Sequence, residues 1–337
     1  MTAAVPALVV RGISKQFGSH RAVEDVSFTV PRGCVYGILG PNGAGKSTTL
    51  RMINDIIAPD AGAIEIMDGI PPGPRAAAQI GYLPEERGLY PKERVLEMIA
   101  LMGELRGLSR AEARRRAGAW LERLGLEQWA KNRVGELSKG MQQKVQFATA
   151  LIHEPALVIL DEPWSGLDPI NAEVLREVVD EIRASGRTVL FSTHQMEQAE
   201  KVCDAVCIIA RGKKVLDGRL LELKRSWGAD GRIALGFGDE AARARAEAVL
   251  ADAALVADRL PARAGDVADC EVTLAAGVAP QQLLAGLVAA EVWLRRFEVV
   301  VPTLHQIFVE RVGDSAAVAE RRPEGEPGKD QGKEAAS

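Results

Sequence analysis

The run Gly40-Pro41-Asn42-Gly43-Ala44-Gly45-Lys46-Ser47-Thr48 lies between an apolar stretch at 35–39 and a helix-forming one at 48–53. Strand, glycine turn and helix start, in that order, is the setting in which such a run builds a phosphate-binding loop. Glycines at 40, 43 and 45 permit backbone angles and close approaches that a side chain blocks, so successive N–H groups can converge on phosphate oxygens. The helix N-terminus behind them adds positive potential. Lys46 then reaches the β- and γ-phosphates as a point charge, and the Ser47 hydroxyl completes a magnesium shell.

The rest of the chain agrees with the α/β architecture that this loop demands. Residues 8–225 alternate short β-branched runs with charged helical segments, the pattern of strands covered by helices. The runs at 157–160, 188–192 and 205–210 are almost wholly apolar and expect burial on both faces, as in a parallel sheet. A helical insert spans about 88–140, with Ser109-Arg110-Ala111-Glu112 as a capping box. Its Arg114-Arg115-Arg116 cluster reads either as a partner-facing patch or as a solvated helix face.

Glycines and charges at 224–231 interrupt the pattern and mark a linker. The expected organisation is a nucleotide-binding domain at 1–225, a small α+β domain at 226–312 and a disordered tail at 313–337. Strand, helix, strand, strand, helix, strand in the second unit is the split βαβ, ferredoxin-like order, followed by a last helix at 304–312. The tail is rich in Glu, Lys, Pro, Gly and Ala and has little to bury.

Composition argues against several functions. A net charge of −4 argues against a general nucleic-acid binder. No apolar run approaches the ~20 residues needed to cross a bilayer, so the chain cannot itself be a channel. The apolar stretch at 3–10 reads as a first strand rather than an export signal, and the expected location is the cytosol. Cys34, Cys203, Cys207 and Cys270 lack paired metal-site spacing and read as reduced thiols that fill the core.

Asp161 and Glu162 end the apolar run at 157–160, where a doubly wound sheet presents residues to a ligand. Asp161 is expected to hold magnesium, and Glu162 to orient or deprotonate the water that attacks the γ-phosphate. His194, in Ser192-Thr193-His194, follows a third strand and is placed to touch the same phosphate.

Together these residues resemble the nucleotide-binding subunits of ABC transporters over roughly the first two thirds of the chain. Asn42 and Ala44 are the family's usual loop residues. Leu137-Ser138-Lys139-Gly140-Met141-Gln142 is similar to the signature Leu-Ser-Gly-Gly-Gln, with Lys at the third place and Met inserted before Gln. Ser165-Gly166-Leu167-Asp168-Pro169 resembles the dimer-contacting loop, and His194 the switch histidine. Phe17 lies where the family stacks an aromatic ring on adenine, although a strand-end Phe can equally belong to the core.

The resemblance implies an ABC-type P-loop NTPase fold with a helical insert and Mg-dependent ATP hydrolysis. ATP would lie between two subunits arranged head to tail. Ser138, Gly140 and Gln142 of one would face the phosphate loop of the other, and Asp168 would line the interface. With one nucleotide-binding set in this chain, the second subunit is most simply a copy of itself.

The stretch Tyr82-Leu83-Pro84-Glu85-Glu86-Arg87-Gly88-Leu89-Tyr90 resembles a subgroup of prokaryotic exporters of the ABC-2 type, related to sodium-efflux and drug-resistance ATPases. Glu85 stands there where Gln is common, either as a further carboxylate near magnesium or as an exposed salt-bridging residue. Pro302-Thr303-Leu304-His305-Gln306-Ile307-Phe308 looks like the end of that subgroup's accessory domain. An integral-membrane ABC-2 type permease is the implied partner, with this chain on the cytoplasmic face of the membrane. The other reading is a soluble ABC ATPase acting on nucleic acid, ribosomes or cluster assembly. Its translation-factor relatives carry two nucleotide-binding sets, and its repair relatives carry coiled coils or zinc cysteines, which this chain lacks.

Overall fold

The computed structural model describes residues 5–86, 88–227, 231–261 and 268–311. The expected tail at 313–337 and part of the expected linker lie outside them. Among the described residues the strands form three sheets.

The largest sheet has the order β5-β6-β7-β3-β8-β9, made of β3 (Val35–Leu39), β5 (Ile80–Leu83), β6 (Leu157–Asp161), β7 (Thr188–Thr193), β8 (Ala205–Ala210) and β9 (Lys213–Arg219). Its first five members pair parallel, and β9 closes the edge antiparallel to β8. Every residue of β3, β6, β7 and β8 is buried, which is why these runs carry no polar alternation. A smaller antiparallel sheet pairs β1 (Leu8–Phe17) with β2 (His20–Val30) and β4 (Ala61–Ile66).

Helix α1 (Lys46–Ile53) packs where the two sheets meet: Leu50, Met52 and Ile53 share a core with Ile13, Val23, Ile38 and Leu190. The short α2 (Pro74–Ala77) precedes β5. The helical segment contains α3 (Val95–Leu105) and α4 (Arg110–Arg123) and leads into α5 (Lys139–Leu151), with 3-10 turns at Glu127–Trp129 and Val134–Glu136. After β6 come α6 (Pro169–Ala184), α7 (Met196–Val202) and α8 (Leu220–Trp227).

Half of the capping box predicted for α4 forms. Ser109 Oγ accepts from the Glu112 N–H at 3.3 Å, but the Glu112 carboxylate turns to Arg115 and Arg116. Arg114 meets Glu97, so the three arginines form a paired, solvated face.

Beyond α8 come β10 (Arg232–Phe237), α9 (Glu240–Leu250), β11 (Val256–Pro261), β12 (Cys270–Leu274), α10 (Pro280–Ala289) and β13 (Leu294–Val299). The sheet order β11-β12-β10-β13, antiparallel throughout, is the ferredoxin-like arrangement. Ile233, Leu235, Phe237, Leu250, Val272, Leu283 and Leu287 form its separate core. The helix expected at 304–312 is described over 304–311, and it is tied to the nucleotide-binding unit through the Leu304 N–H and Glu200. Leu304 is buried in the cluster that also holds Met196, Ala199 and Val202, and Phe308 packs against that cluster. An apolar helix face declares that it needs a partner without saying which one.

Candidate nucleotide site

The loop between β3 and α1 is shaped by close backbone approaches. Gly45 has φ +104°, and a Cβ there would lie 2.4 Å from the Ala22 carbonyl oxygen; at Gly40 it would lie 2.0 Å from that of Ile209. No other residue type leaves room for the loop to turn against β2 and β8. Lys46 is 5 % exposed; its Nζ donates to the carbonyls of Gly40 (2.9 Å) and Pro41 (3.1 Å). The loop amides and the amino end of α1 face a cavity of about 400 Å³ lined by Phe17, Asn42, Gly43, Ala44, Gly45, Lys46, Ser47, Thr48, Glu85 and Glu162.

Asp161 and Glu162, at the carboxyl end of β6, are both buried. Ser47 Oγ donates to Asp161 Oδ1 at 3.1 Å, and Ser192 Oγ donates to the same oxygen. Asp161 Oδ2 is buried with no hydrogen-bond partner. Burial foremost, with Glu162 adding like charge, pushes the Asp161 carboxyl above its ordinary range. A loop hydroxyl bonded to a carboxylate whose second oxygen is buried without a partner suits a hard divalent cation.

Glu162 adopts a left-handed backbone, φ +48°, rare for a residue with a Cβ. Its N–H is held by the Ser192 carbonyl (3.1 Å) and hydroxyl (3.2 Å). The turn aims its carboxylate between three groups: Lys46 Nζ lies 3.4 Å and His194 Nδ1 3.0 Å from Oε1, and Thr193 Oγ1 donates to Oε2 at 3.2 Å. Strand ends that are far apart in sequence therefore meet at one carboxylate.

Phe17 is 48 % exposed, which disposes of its core-filling alternative, and Lys15 Nζ sits 5.7 Å from its ring centre. Glu85 is exposed on the wall of the same cavity. Ser138, Gly140, Gln142 and Asp168 do not line it. Ser138 caps α5, its hydroxyl accepting from the Met141 N–H at 3.3 Å. Helix α5 runs unbroken from Lys139 through Met141; Gln142 Nε2 turns back to the carbonyls of Val134 (3.3 Å) and Leu137 (3.1 Å). Asp168 caps α6 by accepting from the Asn171 N–H at 2.9 Å, and these contacts hold its carboxyl below the usual range. The signature turn and this cap are neighbours, because a Cβ on Gly140 would lie 3.5 Å from Asn171 Nδ2.

Sequence reasoning missed His20 and Ala22, which line the cavity and carry no motif. It also missed two buried glutamines of α5: Gln143 donates to the Pro163 carbonyl at 3.3 Å, and Gln146 to those of Pro84 (3.1 Å) and Glu86 (3.2 Å). They tie the signature helix to the Glu162 turn and to the Glu85 loop. Two amides on an otherwise apolar helix face were the available signal.

Residues 23–165 match the ABC transporter family, and residues 218–312 match the C-terminal domain of DrrA1-3-like ATP-binding proteins. The chain is 38 % identical over 306 residues to the uncharacterized ABC transporter ATP-binding protein YhaQ of Bacillus subtilis, covering 91 % of this chain and 98 % of that one. The linearmycin resistance ATP-binding protein LnrL of the same organism is 33 % identical over the same shares of both chains. Nod factor export ATP-binding protein I of Ralstonia nicotianae is 40 % identical over 65 % of this chain and 68 % of its own. Among solved structures, the dimeric post-hydrolysis ATP-binding cassette MJ0796 with ADP and Pi is similar at TM-score 0.59 and 26 % identity, over 63 % of this chain and 98 % of that one. Likeness at 38 % identity continues through both units of the fold, and the chain belongs to the ATP-binding proteins of ABC transporters.

Proposed function

We propose that this chain drives export through an ABC-2 type permease by hydrolysing ATP at the cavity between the phosphate loop and Glu162, while lying on the cytoplasmic face of the membrane. The observation that carries the chemistry is the Glu162 carboxylate, 6 % exposed, aimed by a left-handed turn and shared by Lys46, Thr193 and His194. A desolvated carboxylate held at a phosphate loop suits a group that orients and accepts the proton of the attacking water. Lys46 exchanges its loop carbonyls for the β- and γ-phosphates when ATP enters, and His194 then spans Glu162 and the γ-phosphate. Phe17 stacks on the adenine, with Asn42 and Thr48 completing the phosphate cradle. Ser47 and Asp161 would hold magnesium, which would offset phosphate charge, and Glu85 on the cavity wall would be a further carboxylate near it.

Exclusion of Ser138, Gly140, Gln142 and Asp168 from the cavity of their own chain supports a head-to-tail homodimer, in which the N-terminus of α5 completes the partner's site. Export is favoured by the likeness to the Nod factor export protein. Glu162→Gln tests the reading: ATP binding is retained, turnover falls about 10²- to 10⁴-fold, and an ATP-dependent dimer accumulates on size-exclusion chromatography. Turnover at the parent rate would assign the base elsewhere.

A further inference from the structure

Helix 304–311 begins with reciprocal caps: the Thr303 N–H donates to Gln306 Oε1 (2.9 Å), and the Gln306 N–H to Thr303 Oγ1 (3.2 Å). Its Leu304 N–H donates instead to Glu200 Oε1, at 2.6 Å. The same oxygen accepts Lys224 Nζ of α8 at 3.0 Å. Along the chain, α8 precedes β10, and helix 304–311 follows β13. Both ends of the ferredoxin-like unit are therefore tied to one carboxylate of α7.

The tie is sheltered and backed by packing. Glu200 and Lys224 side chains are 18 % and 21 % exposed, Leu304 is fully buried, and Leu223 and Phe308 pack on the cluster that holds Met196, Ala199 and Val202. A carboxylate accepting from the first turn of a helix is also favoured by the helix dipole.

At its other end α7 reaches the catalytic carboxylate. Gln195, its N-cap, donates its N–H to Thr193 Oγ1 at 3.1 Å, and that hydroxyl donates to Glu162 Oε2. His194, on the Glu162 carboxylate, lies in the same turn. A helix of seven residues is too short to bend, so its placement at Glu200 and its placement at Thr193 are one variable.

We propose that Glu200 is a positioning residue for ATP hydrolysis: by anchoring α7 to both ends of the ferredoxin-like unit, it holds Thr193 and His194 in register with Glu162. The inference rests on the reading of Glu162 and His194 given above. It makes turnover responsive to anything that displaces the C-terminal unit.

The test uses the purified 337-residue chain with Glu200→Ala, Glu200→Gln and Lys224→Met, measuring kcat and KM for ATP, and amide exchange along α7 and 304–311. Glu200→Ala is expected to lower kcat about fivefold or more and leave KM within about twofold, because the groups that hold ATP are untouched. Amide exchange in α7 rises with it. Glu200→Gln keeps the acceptor for the Leu304 N–H and restores kcat to within about twofold of the parent. Faster exchange at 304–311 with parent kcat in Glu200→Ala overturns the proposal. Should Glu200→Ala fail to fold, Lys224→Met breaks one arm and is expected to show the same split at smaller size; parent kcat with faster α7 exchange there overturns it equally. His194→Ala, run alongside, separates the two levels: loss of turnover there but not in Glu200→Ala sinks the coupling and leaves the site standing. Parent turnover in His194→Ala sinks both.

Discussion

The residues that matter most are held in backbone conformations or contacts that their types rarely tolerate. Glu162 spends backbone strain, of order 1–3 kcal/mol, to turn its carboxylate back over the loop. Two bonds from Ser192 to its N–H offset that cost. Gly45 illustrates the opposite dependence, on an absent side chain. Gly45→Ala would place a methyl against the Ala22 carbonyl at φ +104°, and the expected outcome is a loss of at least about 1–3 kcal/mol of stability with distortion of the phosphate loop. Chemical denaturation with and without ATP checks it, and a parent midpoint in both conditions would show that the loop relaxes freely.

At the scale of elements, charged side chains near helix ends choose among partners that the sequence leaves open. Helix α4 is the clearest case, because Glu112 serves two arginines one turn away instead of returning to the Ser109 N–H. Hydrogen bonds from Arg115 and then Arg116 push the Glu112 carboxyl from its ordinary 4.5 down to about 2. A depressed carboxylate contributes stability above its unfolded pKa, and that contribution fades as pH falls from about 4.5 towards about 2. The parent protein is therefore expected to lose stability more steeply than Glu112→Gln across that window. Thermal melts at intervals from pH 6 to pH 3 measure it, and parallel curves would show that the arginines find other partners. The effect is small, because the Glu112 carboxylate and its arginine partners stay open to solvent in part.

At the scale of the whole molecule, the proposed head-to-tail pairing has one chain supply two unlike halves of a nucleotide site. The phosphate loop and Glu162 line one cavity, while Ser138, Gly140 and Asp168 do not line it. Lys46→Ala and Ser138→Arg should each abolish turnover alone. Mixed in equal amounts, they regain one intact site in about half of the statistical dimers, the heterodimers, so the mixture hydrolyses ATP well above the average of its components. Additive activity at every mixing ratio would show that each chain works alone.

Local signals made the P-loop, the acidic end of β6, His194 and the α/β pattern legible, because each needs particular residue types within a few positions. The ferredoxin-like order was legible for the same reason, since helix and strand periods alternate cleanly between 232 and 299. Tertiary structure decided what depends on distant partners. It tied the Leu304 N–H to Glu200 of α7, turned Glu112 away from its cap, put His20 on the cavity wall, and bonded Gln143 and Gln146 to the turns that carry Glu162 and Glu85. A sequence states which groups must be buried or paired; which of several chemically equal partners they meet is decided when the packed chain brings one of them within reach.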